Sequence, residues 1–552
     1  MPYSLFKNGV NLLLRRQTNI LSAALIIMVT VVFSQILGLV RQRLLVSIFG
    51  ASDILGIYLV SSKLPDFLFQ LIIAGALSSA FIPVFSEHIG KGKVAQANAL
   101  GSSLITLGLA VFFVLAFFLF IFAEFFLNLI APGFSHNQIQ LMASLMKIII
   151  FGEILFIFGS FLSAILQSYN HFFIPGIAAA FYNMGMIISI VILSPMVGIF
   201  APAYGVVLGA LIFILIQLPM SKKVGFSFVP SFYFKAEGVL ETLRLMWPRT
   251  LSIAIFYLGT LAIVTLISLL SSPGRNYVIF DYAQTLAFAP IVLFGQTIAQ
   301  AAFPVLSRER ERIEEFKQVF ITSFNQMLYL VLPISALLLV LRIPIVRLVY
   351  GASQFDWQAT VLTGRTLAFF SISIFAQALI YLVSRGFYAL HDTKTPLLVG
   401  VITTGLMIAM GILFIVYYKL GVETLAIAYS IGSILNLLLL FLILDKRIGG
   451  FQKRELLFSQ GKIFLATIFT GFALYIPIKL LDQLVFDTTR TVNLILLTGI
   501  SSFAGLSLYL FLTWLFNVKE AKTFILLFKR IGDWREILGK SEEVIDGTRL
   551  KP

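Results

Sequence analysis

The chain has 552 residues, 59% of them hydrophobic and 12% charged, with no cysteine and a formal net charge of +15. A soluble domain carries about 25% charged residues, so most of this chain cannot face water, and disulfides and thiolate metal sites are excluded. The basic excess lies between apolar segments, where membrane topology accounts for it, and a nucleic-acid partner is not expected.

Crossing about 30 Å of hydrocarbon takes about 20 apolar residues. Every backbone group must be satisfied within the segment, so a spanning segment is a helix. The sequence predicts fourteen spans, at 20–48, 56–84, 97–127, 140–167, 174–194, 198–220, 243–270, 277–305, 318–341, 360–387, 396–418, 423–444, 461–481 and 492–516. The first is too long for the apolar core of a signal peptide and lacks a small-residue cleavage site, so it is expected to be retained.

Alternate loops carry the basic residues, among them Lys7, Arg15, Arg16, Lys91, Lys93, Lys222, Lys223, Lys235, Arg308, Arg310, Arg312, Lys446, Arg447, Lys519 and Lys522. The positive-inside rule then places both termini in the cytoplasm of a bacterial cell, with the chain in its cytoplasmic membrane.

A repeat runs through the chain. Ala80-Phe81-Ile82-Pro83-Val84-Phe85-Ser86 reappears as Ala301-Ala302-Phe303-Pro304-Val305-Leu306-Ser307, and Pro175 as Pro396, both 221 residues on. The expected fold is an all-α polytopic membrane protein of two six-helix lobes in a parallel pseudo-twofold repeat, with two extra C-terminal helices. The predicted divisions are an N-terminus at 1–19, an N-lobe at 20–220, a linker at 221–242, a C-lobe at 243–445, spans thirteen and fourteen within 446–516 and a tail at 517–552. Transporters commonly bind substrate between such repeats.

Ionisable residues at membrane depth are costly and mark cavities or pathways. Arg41 and Arg43 lie in the first span, Lys63 in the second and Arg249 near the inner end of the seventh. Long basic side chains also snorkel to the interface, which is the reading for Lys147 and Arg365. Asp66, three residues after Lys63, can pair with it on one helix face, and Glu153 is expected to partner Lys147 or a neighbouring helix. The excess of basic groups favours an anionic phosphate or pyrophosphate, which a guanidinium grips with a planar fork of donors. Ala74-Gly75-Ala76-Leu77-Ser78-Ser79-Ala80 suits close helix approach. Metalloprotease, nucleophile-elbow and phosphate-loop motifs are absent, so neither an enzyme nor a cofactor is expected, a coupling ion aside.

Several strings together resemble the lipid II flippase family (MurJ, or MviN) of the multidrug/oligosaccharidyl-lipid/polysaccharide exporter superfamily. They include Gly38-Leu39-Val40-Arg41, Lys63-Leu64-Pro65, Gly75 to Val84, Ala131-Pro132-Gly133-Phe134, Phe303 to Ser307 and, most specifically, Arg385-Gly386-Phe387-Tyr388-Ala389-Leu390-His391-Asp392-Thr393-Lys394-Thr395-Pro396. The resemblance implies two lobes around a cationic cavity, export of undecaprenyl-pyrophosphate-linked peptidoglycan precursor (lipid II) by alternating access, and a lipid-accessible groove at the last two helices. By position, Arg41 matches the family's first-span arginine. Gln35, Gln42, Phe69, Gln70, Ala74, Gln284 and Thr285 stand where members usually carry charged residues. The substrate-binding set expected here is therefore Arg41, Arg43, Lys63 and Arg249, with Gln35 and Gln70 bonding the head group. Partners would be lipid II, membrane lipids and cell-wall synthesis proteins. Rival readings are a flippase for an O-antigen or teichoic-acid type glycan, a drug/cation antiporter, which would need a lone carboxylate in the first span, and a non-transporting scaffold.

Overall fold

The computed structural model describes residues 20–76, 81–233, 238–451, 453–484 and 491–521, and among them the backbone is helical with no strand. Lys7, Arg15, Arg16, Ser78, Ser79, Ala80, Lys235 and Lys522 lie outside the described residues, as does the side chain of Arg249. Twelve described helices are long and apolar enough to span, and the bent pair Trp357–Ser371 and Ile374–Ala389 makes a thirteenth. The apolar stretch Ile253–Ser268, within a helix that begins at Val239, stands where the remaining expected span lies.

Contacts divide the chain into two units, Met1–Arg275 and Asn276–Pro552. The first contains α1 (Ile20–Phe49), α2 (Asp53–Ser61), α3 (Lys63–Ala76), α4 (Ile82–Gly90), α5 (Val94–Ile121), α6 (Ala123–Ile130), α7 (His136–Ser168), α8 (Phe173–Val197), α9 (Phe200–Lys223) and α10 (Val239–Ser268). Its best-packed helices are α7, α8 and α9. Glycines allow this approach: a Cβ on Gly209 would come 2.6 Å from the Tyr182 carbonyl oxygen, and one on Gly185 2.7 Å from the Gly209 Cα. The outer faces carry exposed Phe113, Phe117, Phe118 and Ile121, the pattern of a helix bathed in lipid rather than water.

The span expected at 56–84 begins at Asp53 and runs as one span to at least Ile73, with the single turn residue Ser62 between α2 and α3. Pro65 has no N–H and would crowd the carbonyl four residues back, so the helix ends at Ser61 and restarts at Lys63. The span expected at 97–127 ends at Ile121, and a short helix, α6, follows. The linker after α9 lies extended along α5, where Asn98 Nδ2 donates to the Gly225 carbonyl at 2.9 Å and the Val229 and Ser231 amides donate to Ser102 Oγ and Thr106 Oγ1 at 3.2 and 3.1 Å. α10 packs on α3, with Thr250 Oγ1 donating to the Leu71 carbonyl at 3.4 Å. The division at Arg275 therefore groups this helix with the first unit.

The second unit begins within α11 (Pro273–Pro290) and continues through a π-turn at Ile291–Gln296, α12 (Thr297–Arg308), α13 (Ile313–Val340), α14 (Arg342–Tyr350), α15 (Trp357–Ser371), α16 (Ile374–Ala389), α17 (Lys394–Ile412), a π-turn at Leu413–Tyr417, α18 (Glu423–Arg447), α19 (Lys453–Leu484) and α20 (Thr491–Leu515). The 221-residue repeat governs its layout. α7 starts at His136 and ends at Ser168, while α15 starts at Trp357 and α16 ends at Ala389. Ser135 forms a capping box with Gln138 ahead of α7, and Asp356 caps α15 by accepting from the Ala359 amide. Left-handed backbone recurs at the same spacing, at Asn170 (φ 62°) and His391 (φ 58°), then at Gly198 (φ 57°) and Lys419 (φ 52°). Each pair closes the same helix end, since a helix commonly stops on a left-handed residue. α19 and α20 pack on each other and on α13, where Tyr509 Oη donates to the Tyr329 carbonyl at 2.7 Å.

Candidate functional site

Inside the first unit is a cavity of about 280 Å³ lined by Lys63, Asp66, Phe69, Gln70, Glu153, Phe156, Tyr182, Tyr257, Thr260 and Leu261. Four helices supply the lining. α3 presents Lys63, Asp66 and Gln70 one turn apart, the spacing that puts side chains on one helix face. α7 contributes Glu153 and Phe156, α8 Tyr182, and α10 Tyr257, Thr260 and Leu261. One wall is aromatic: the Phe156 ring lies 5.2 Å from Phe69, 4.7 Å from Tyr182 and 4.8 Å from Phe213. The volume lies just below the roughly 300–1,000 Å³ of small-molecule pockets. It suits one diphosphate or one sugar ring rather than a whole glycopeptide.

The charges are mixed. Lys63 faces the cavity with two carboxyl groups, Asp66 and Glu153. Asp66 Oδ2 accepts from Ser62 Oγ at 3.0 Å. Glu153 is 6% exposed, and its Oε2 is buried with no hydrogen-bond partner among the described residues. The expected pairing of Glu153 with Lys147 does not form. The Lys147 ammonium instead lies 5.2 Å from the Phe120 ring centre, and Glu153 turns toward the cavity. The two residues are six apart on α7, and side chains meet along a helix at three or four.

Of the predicted binding residues, Lys63 and Gln70 line this cavity. Arg41 is half-buried on α1, its Nη1 3.1 Å from Met186 Sδ, one turn along α8 from Tyr182 of the lining. Asn183 locks α1 to α8 through bonds from its Nδ2 to the Ser34 carbonyl and hydroxyl, both at 3.2 Å. Gln35 and Arg43 are exposed on α1 and do not line the cavity. Sequence reasoning missed Tyr182, Tyr257 and Thr260. An aromatic or hydroxyl residue in an apolar helix gives no sign of facing a cavity until the neighbouring helix is placed.

The sequence profile of the family described as lipid II flippase MurJ matches residues 45–493. The chain belongs to the MurJ family. A probable lipid II flippase MurJ of Buchnera aphidicola subsp. Acyrthosiphon pisum is 27% identical over 92% of this chain and 99% of its own length. The lipid II flippase MurJ of Burkholderia cenocepacia is 27% identical over 78% of this chain and 84% of its own. Among solved structures, a MurJ described as inward closed superposes with a TM-score of 0.71 at 24% identity, covering 88% of this chain and 98% of that one. An inward-facing multidrug resistance transporter of the MATE family, in the MOP superfamily, superposes at 0.64 with 14% identity, over 75% and 94% of the two chains. These likenesses establish the MurJ fold, and family membership makes this a multi-span protein of the inner membrane.

Proposed function

We infer that this MurJ-family protein is a lipid II flippase, a transporter that carries the undecaprenyl-pyrophosphate-linked peptidoglycan precursor from the inner to the outer leaflet by alternating access. The observation that carries the reading is the family match over residues 45–493. The polar cavity of the first unit supports it by offering Lys63 and Gln70, with Arg41 close by, to part of an anionic head group. In this reading Lys63 and Arg41 hold the pyrophosphate, while Arg43 and Arg249 guide it along the path. Gln35 and Gln70 hydrogen-bond it or its first sugar. The polyprenyl chain stays in lipid beside α19 and α20. Both termini lie in the cytoplasm, where the tail can recruit cell-wall synthesis proteins. Export needs no resident cofactor, and a coupling ion or the membrane potential supplies the driving force.

The test is translocation of purified lipid II in vesicles containing the full-length protein. A charge-assisted hydrogen bond is worth about 1.5–3 kcal/mol, so Arg41→Ala should slow translocation roughly 10–100-fold with little change in thermal stability. Lys63→Ala should do likewise. Unchanged rates in both variants would remove this cavity from the substrate path. Competition with undecaprenyl-linked glycans lacking the peptide separates lipid II from the O-antigen or teichoic-acid type substrates.

A further inference from the structure

Glu153 is the one cavity carboxylate whose situation the lipid reading leaves unexplained. Its side chain is more than nine-tenths buried, and Oε2 is sealed from solvent with no partner among the described residues. An ionised carboxylate so placed costs several kcal/mol unless it is paired or hydrogen-bonded. A second carboxyl, Asp66, lines the same cavity.

The groups around Glu153 can be named helix by helix. α3 contributes Lys63 and Asp66, α8 Tyr182 and α10 Tyr257, all in the lining. Tyr58 on α2 lies within electrostatic reach of Glu153, while Arg41 on α1 acts on Tyr58 and Tyr182. α4, α5, α6 and α9 also pack on α7 but add no residue to the lining. Within the lining, then, the single ammonium of Lys63 can balance one of the two carboxylates. The other is accommodated most simply by a proton.

We propose that Asp66 and Glu153 form a proton-binding carboxyl pair, with the proton carried at Glu153. The carboxylate takes a proton from cavity water to form an O–H bond and returns it by the same route, with no other bond changed. A metal cation fits less well. Lys63 repels it, two carboxylates are a sparse oxygen set for a hard cation, and no group of three metal-ligating residues occurs among the described residues. The pair also has a use. With both carboxylates ionised the lining carries one net negative charge and resists a diphosphate; with Glu153 neutral it does not. Proton and head group then favour each other's binding, by the same factor in both directions. That coupling rests on the lipid reading, whereas the proton site itself does not.

The experiment is infrared difference spectroscopy of the full-length protein in phosphatidylethanolamine–phosphatidylglycerol vesicles, without substrate. The bulk pH is raised from about 5, where exposed glutamates with ordinary values near 4.3 are already ionised. The proposal expects a protonated-carboxyl C=O band that disappears as the pH rises. The band should be absent in Glu153→Gln and retained at a displaced frequency in Glu153→Asp. Carbon-13 glutamate labelling of the wild type should move it, which keeps the test valid even if Glu153→Gln does not fold. No titrating band, a band unchanged in Glu153→Gln, or a band unmoved by the label overturns the proposal. So does loss of the band on adding sodium at constant pH, because a metal cation would then be the occupant. Failure of lipid II translocation would leave every one of these outcomes readable.

Discussion

Asp392 illustrates how one side chain fixes a loop. Burial pushes its carboxyl up, but bonds from the Thr395 hydroxyl and amide and from Arg447 outweigh that and hold it below its ordinary 3.8. Oδ1 accepts from the Lys394 and Thr395 amides, both at 3.0 Å, and so caps α17. A depressed carboxylate stabilises the fold above its unfolded value, and the effect is lost as pH falls through the folded one. Hydrogen exchange at the Lys394 and Thr395 amides should therefore accelerate, beyond its intrinsic pH dependence, only below about pH 4. Asp392→Ala, which has no acceptor for these amides, should show the faster rate at neutral pH. Equal protection of the variant at neutral pH would contradict the cap. This helix start was legible in the sequence, because an Asp or Thr followed by Pro396 is a local signal. The direction of Glu153 was not, since its neighbours come from α3, α8 and α10, far away in the chain.

Glycine spacing sets how closely the site's helices approach. An added methyl at Gly209 meets the Tyr182 backbone and ring, whereas at Gly400 it meets nothing within 4 Å. Overpacking costs typically about 1–3 kcal/mol. Gly209→Ala should lower thermal stability and disturb Tyr182 at the cavity, while Gly400→Ala should be neutral or slightly stabilising; equal melting of the two variants would refute the close-packing account.

At the scale of elements, the repeat makes the exceptions readable. α7 runs unbroken for 33 residues, yet its counterpart bends by 42° between α15 and α16. Buried hydroxyls gather at the bend, one of them from a neighbouring helix. Ser371 Oγ donates to the Leu367 carbonyl at 2.7 Å and Ser373 Oγ to the Phe370 carbonyl at 3.1 Å. Ser430 Oγ on α18 lies 2.7 Å from the Phe369 carbonyl and 2.9 Å from Ser373 Oγ. Side chains that bond backbone carbonyls bend helices, and a neighbour that satisfies the freed groups holds the bend. Ser430→Ala takes the donor from the Phe369 carbonyl, while Ser373 keeps its bonds with the Phe370 carbonyl and Gln377, and should cost about 1–3 kcal/mol, read as a lower unfolding temperature; an unchanged melting curve would exclude α18 as the brace. The spans themselves were legible from hydropathy, because each is long and apolar. The turn at Ser62 and the bend were not, because a single Pro65 or a pair of serines hardly alters a window about 20 residues long. The 221-residue repeat was visible at two motifs, and the structure extends it to helix ends, caps and left-handed residues.

For the whole molecule, the account rests on an anionic head group crossing the membrane without ATP. A pyrophosphate carries about two negative charges. Moving each outward through an inside-negative potential gains about 2.3 kcal/mol per 100 mV, roughly 4–5 kcal/mol for the pair. Partial neutralisation by Lys63, Arg41 or a co-bound proton would reduce that figure, so the slope of rate against potential reports the net charge moved. The most direct measurement is transfer of purified lipid II between leaflets in vesicles containing only this protein, at zero potential and at an imposed inside-negative one. The account predicts transfer well above that of protein-free vesicles, faster as the potential grows, and strongly reduced by Arg41→Ala. Transfer no faster than in protein-free vesicles, from protein that remains folded, would contradict it.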